Sequence, residues 1–302
     1  MKKFLSIALA LLMVCVMLPV VALAAEKTAS TYEELKSAIS TANDGDTIKL
    51  LADIDLSQTI TVNKTITLNM NGKKLYNTSD LCDKPTAEAN NWSLISVRGS
   101  GNLTITGNGT FAAKENDCYA VDVQESATVT IKNGTFIGNI HAVYVFAGTA
   151  NVEGGTYSVQ QKYPDSAKGD EFVLNCYDAN RANGTARINV TGGTFKNFNP
   201  ADNKAEGEGN NFADNSLVVQ KNNTVQNNDY YVGNAANEVI AAASKGEEIF
   251  VLNGTTLTNV PAGVIIQNRT GDRITVNGKD VELTGDAGYT CLLYTSPSPR
   301  DS

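Results

Sequence analysis

Two kinds of side chain in this sequence could act on another molecule. One is a carboxylate, Asp122, in the alternating run Val121-Asp122-Val123, which matches Ile95-Ser96-Val97 before it and Val143-Tyr144-Val145 after it. Every second residue of a strand points away from the core, so Ser96, Asp122 and Tyr144 form one outward column, followed by a second of Arg98, Gln124 and Phe146. The first column supplies a single acid. Asp122 near Arg98 on an adjacent coil reads as an exposed ion pair, not as a general base. The other kind is aromatic. Tyr144 and Phe146 leave one strand on its outer side with Tyr177 one coil later, and exposed rings on a flat sheet can stack on the faces of sugars. Asp122 would give that platform a polar anchor. The competing reading is that the insertion Ser158 to Glu171 covers the rings.

Other reactive residues form no site. His141, the only histidine, has no Ser, Cys or acid at a catalytic spacing and reads as structural. Cys118 and Cys176 flank apolar strands as small buried hydrophobes, and with Cys82 they make an odd set with neither a disulfide framework nor metal-ligand spacing. Asp202, Glu206, Glu208 and Asp214 are hard oxygen donors in one loop but meet no calcium-loop spacing, so they read as a solvated acidic surface. No cofactor or metal is expected.

The elements that would position these residues come from a phrase that returns four times. It runs L-T-I-T-G-N-G-T-F (103–111), V-T-I-K-N-G-T-F (129–136), A-N-V-E-G-G-T-Y (150–157) and I-N-V-T-G-G-T-F (188–195). Each copy is a strand with period two, a Gly-containing corner, then Thr and a ring. The pairs Ile95/Val97, Val121/Val123 and Val143/Val145 precede the first three copies at nearly constant distance, so the unit is a coil of two or more strands. Stacking the coils puts Phe111, Phe136, Tyr157 and Phe195 in one internal ladder. It puts Thr104, Thr130, Asn151 and Asn189 in an outward one that solvates the stack.

This pattern resembles the right-handed parallel β-helix of the pectate-lyase-like superfamily, over roughly Thr31 to Val232. The resemblance implies an all-β fold, a right-handed parallel β-helix. Thr31 with Glu34 forms a capping box that predicts a helix to about Ala42, with Leu35, Ala38, Ile39 and Ala42 on one face, as an N-terminal capping helix. Enzymes of the superfamily would imply a calcium-binding carboxylate cluster with a basic residue, or two to three carboxylates, on the outward face. Ser96, Asp122 and Tyr144 offer only one. The expectation is therefore a non-catalytic, adhesin-like protein that binds a glycan or a protein, with a polysaccharide lyase or glycoside hydrolase as the alternative.

The ends and the charge set the context. Met1-Lys2-Lys3, an apolar run to Val21 and then Ala22-Leu23-Ala24 form a secretory signal, so residues 1–25 are expected to be removed and the protein secreted or displayed on the cell surface, without membrane insertion thereafter. Cys291 to Asp301 resembles the translation of a sequencing adapter and is read as a non-native tail, 291–302, with nothing native to pack against. Setting both segments aside leaves 21 basic and 31 acidic residues, a net charge of −10. That balance argues against nucleic acid or an anionic membrane as partner. The β-helix domain is expected over 26–234. Helix-then-strand grammar like that of the opening returns at Glu238 to Leu252, so 235–290 reads as a second, truncated module or as a continuation of the first.

Overall fold

The computed structural model describes residues 24–81, 92–161, 172–202, 211–221, 228–281 and 290–293. Most of the signal segment, Cys82, Glu206, Glu208 and the last residues of the tail lie outside them. From Glu26 to Lys196 the chain winds in coils of short strands, each pairing in parallel with its counterpart one coil away. The result is three parallel stacks. The first holds Glu26–Ala29, Thr47–Leu50, Thr65–Asn69, Asn102–Thr106, Thr128–Ile131, Gly148–Val152 and Ala186–Val190. The second holds Ile60–Val62, Ser93–Val97, Tyr119–Val123, Val143–Val145 and Leu174–Cys176. In the third, Ile54–Asp55, Lys74–Tyr76, Thr110–Ala112, Thr135–Gly138, Thr156–Val159 and Gly193–Lys196 succeed one another. This is an all-β parallel solenoid.

The expected registers hold. Thr104, Thr130, Asn151 and Asn189 align across the first sheet, and Asn189 Nδ2 donates to Asn151 Oδ1 at 2.9 Å. Phe111, Phe136, Tyr157 and Phe195 align across the third, fully buried. Their centroids are 4.8, 5.1 and 5.0 Å apart with rings 13°, 10° and 10° from parallel. The spacing follows the distance of about 4.8 Å between paired strands, so the sheet itself sets the stacking. Corner glycines make this possible. Gly134, Gly155 and Gly193, each just before the Thr-ring pair, have φ of 116°, 100° and 119°, a region that a Cβ disfavours.

The opening helix spans Tyr32–Thr41. Thr31 accepts from the Glu34 N–H at 3.2 Å while the Glu34 carboxylate accepts from the Ser30 N–H at 2.7 Å, a capping box displaced by one residue on its return bond. Leu35, Ala38, Ile39 and Ala42 join the same apolar cluster as the first coils. Lys64 Nζ donates to the carbonyls of Ser40 and Ala42 at 2.7 and 2.6 Å, meeting acceptors that a helix end leaves open.

Parallel stacking in the third sheet stops at Gly193–Lys196, where Asp229–Val232 joins antiparallel. Val218–Lys221 pairs antiparallel with that strand and with Glu248–Asn253. A helix, Asn234–Ala241, precedes Glu248–Asn253, which pairs in parallel with Ile265–Asn268. Ala236, Ile240, Ile249, Val251, Ile266 and Ile274 belong to a second apolar cluster. Thr290–Leu293 forms a strand antiparallel to Ile265–Asn268, against the expectation that the tail finds nothing to pack on. An apolar tripeptide such as Cys291-Leu292-Leu293 can satisfy its backbone on any open sheet edge, whatever its origin.

Candidate functional site

The outer face of the second sheet gathers the expected site residues. Ser96, Asp122, Tyr144 and Asn175 align in that order on successive strands. One residue beyond the strands, Arg98, Gln124, Phe146 and Tyr177 repeat one backbone bond, each N–H donating to the carbonyl of the preceding coil at Val62, Val97, Val123 and Val145. Polar residues thus occupy the early coils of this face and rings the later ones.

A further column stands at the strand entrances and was not foreseen. Each coil enters the sheet with two consecutive buried apolar residues, Leu94-Ile95, Ala120-Val121, Ala142-Val143 and Val173-Leu174. The doublet breaks the strict alternation, so the preceding residue falls out of phase with the core. Those preceding residues are Ser93, Tyr119, His141 and Phe172. The Tyr119 ring lies 4.9 Å from His141 and 5.1 Å from Tyr144, His141 stacks on Tyr144 at 5.3 Å and 12°, and Phe172 meets His141 edge-on at 6.2 Å. Extending the valine alternation backward hides Tyr119. The recurring apolar doublet is the signal that finds it.

Trp92, Tyr119, Gln124, Tyr144, Phe146 and Tyr177 line a groove of about 250 Å³. Phe146 and Tyr177 stack at 4.9 Å and 25° and are 38% and 45% exposed. Residues 162–171 of the insertion Ser158 to Glu171 lie outside the described residues. Trp92, also in the lining, lies 6.3 Å from Tyr119 at 24°.

Asp122 departs from its expected setting. It is 1% exposed, not a surface ion-pair partner. Its Oδ2 accepts from Ser96 Oγ at 3.0 Å and its Oδ1 from Gln124 Nε2 at 2.7 Å, while Arg98 Nε donates to Ser96 Oγ at 2.9 Å. Outward direction did not mean exposure, because residues of its own and the adjacent coil close over the carboxylate. Burial raises its pKa to about 6, against the lowering effect of Gln124, Ser96 and the Arg98 charge. Asp122 does not line the groove; it supports Gln124, which does.

His141 is structural in this setting. Its Nδ1 lies 2.7 Å from the Phe172 carbonyl, which can only accept, so Nδ1 carries the proton and Nε2 faces Asn175 Nδ2 at 3.3 Å. Burial lowers its pKa to about 4. Cys118 and Cys176 are buried. Among the described residues no three His, Cys, Asp or Glu side chains gather as a metal site, and no helix is long and apolar enough to cross a membrane. Asp202 and Asp214 flank a loop whose Glu206 and Glu208 fall outside the described residues.

Compared with protein-family models, curated proteins and solved structures, the chain matches none. The functional reading therefore rests on the geometry of this face.

Proposed function

We propose that this chain is an exported, surface-displayed or secreted right-handed β-helix of the pectate-lyase-like kind, capped by its first helix, that binds a glycan on the outer face of its second sheet without cleaving it. The observation that carries the reading is the stacked, exposed pair Phe146 and Tyr177 in a ring-lined groove whose lining also includes the amide of Gln124. Rings offer the C–H faces of a sugar an apolar surface, and an amide can both donate to and accept from hydroxyls. Four successive strands of this face cover about 14 Å, at about 4.8 Å per spacing, which suits a short stretch of a glycan chain.

Asp122 is the feature that speaks for an acid–base role, since its pKa of about 6 suits proton transfer. Its neighbours in register, Ser96 and Tyr144, are not acids, and it sits beneath the groove, so the lyase or hydrolase reading lacks a second acid there.

A glycan array carrying neutral, uronate and amino-sugar chains tests the reading. Wild-type protein should bind at least one class, and Tyr177→Ala should weaken that binding about tenfold, the scale of one well-placed aromatic contact. Binding to no glycan, or equal binding by Tyr177→Ala, would overturn it.

A further inference from the structure

Resting on the glycan-binding reading, we infer that the groove selects neutral glycans, with Gln124 reading adjacent hydroxyls of one sugar ring and Asp122 acting as the positioning residue that fixes the Gln124 amide. A carboxylate only accepts hydrogen bonds when ionised, so the atom of Gln124 that faces Asp122 at 2.7 Å is its nitrogen. That bond commits one N–H. The carbonyl oxygen and the second N–H stay available, and among the described residues neither has a partner within the protein. An acceptor and a donor side by side match two neighbouring hydroxyls, one donating and one accepting.

Asp122 is itself held. Ser96 Oγ donates to its other oxygen, and Arg98 Nε donates in turn to Ser96 Oγ. The amide is thereby set before a ligand arrives, which lowers the ordering cost of binding. Charge decides the ligand class. Among the described residues that line the groove there is no lysine or arginine. A uronate carboxylate entering it would lose water without meeting a cation among those lining residues, and Arg98 one coil before Gln124 already donates its Nε to Ser96 Oγ, whereas a hydroxyl would exchange water for the amide. The chain's net charge of −8 acts in the same direction.

The test uses the whole protein at a pH of about 7.5 and an array of neutral gluco-, manno- and galacto-oligosaccharides beside gluco- and galacturonate chains of equal length. Neutral chains should be preferred by about tenfold or more. Gln124→Met, which keeps the side chain's shape and removes its hydrogen bonds, should weaken the best neutral chain about tenfold and leave the analogue lacking the contacted hydroxyl unchanged. Asp122→Asn should also weaken the neutral chain while the protein stays folded by circular dichroism, because its effect runs through the Gln124 orientation. Uronates bound as tightly as neutral chains, or intact and deoxy ligands weakened alike by Gln124→Met, would overturn this inference. Either result with Tyr177→Ala still impairing glycan binding leaves the platform reading standing, so the two failures are distinguishable.

Discussion

Phe136→Ala should cost the fold about 3 to 5 kcal/mol, the range for buried aromatics. Phe136 is fully buried and stacks between Phe111 and Tyr157, at 4.8 and 5.1 Å. Removing it leaves a void in a ladder whose spacing the strands fix, so neighbouring rings cannot close the gap without breaking backbone pairs. The corresponding change at Phe146, on the outer face, should cost about 1 kcal/mol or less because that ring is already partly in water. Equilibrium urea unfolding of the two variants reads the difference. Comparable losses would contradict the internal ladder.

The second large effect is a dependence on pH that the wild-type protein conceals. Asp122 has its pKa raised from 3.8 to about 6 and His141 has its pKa lowered from 6.5 to about 4, both by burial. For Asp122, native and unfolded chains are both protonated below pH 3.8. As pH rises the unfolded chain ionises first, and stability falls until the native group ionises near 6. For His141, both states are neutral above 6.5. As pH falls the unfolded chain takes the proton first, and stability drops until the native ring protonates near 4. Each shift of two units or slightly more is worth about 3 kcal/mol, with opposite slopes over nearly the same window. Asp122→Asn should therefore gain on the wild type by about 3 kcal/mol as pH rises from about 4 to 7, and His141→Gln should gain by a similar amount as pH falls across that window. Urea unfolding at several pH values measures both. Profiles parallel to the wild type would mean that these groups are not buried in the way described.

Much of the fold was legible because coil stacking writes itself into sequence period. The spacing from Val97 to Leu103 and from Val123 to Val129 was enough to set Ser96, Asp122 and Tyr144 in one column and the four rings in another. Depth was less legible than direction. Alternation says that Asp122 leaves the core, but its burial depends on Gln124 beside it and Ser96 on the adjacent strand, whose hydrogen bonds no periodicity encodes. The Tyr119 column was missed for a related reason, since an apolar doublet at each strand entrance shifts the phase by one residue. The antiparallel strands after Lys196 were not legible as such, because an alternating strand looks the same whichever way its partner runs. Of the candidate site, Tyr144, Phe146 and Tyr177 were found from sequence and do stand together. Trp92 was visible only as the sole tryptophan at the end of an insertion.

That tryptophan offers the most direct test that the outer face of the second sheet is a glycan site. Trp92 is the only tryptophan in the chain and lines the groove, so its emission reports on this face alone. Titrating the best-bound neutral glycan into the whole protein should give a saturable change in Trp92 emission whose midpoint agrees with calorimetry and moves to higher concentration in Tyr177→Ala. Saturable binding by calorimetry with no change in Trp92 emission, and with the same midpoint in Tyr177→Ala, would put the ligand elsewhere and contradict the account.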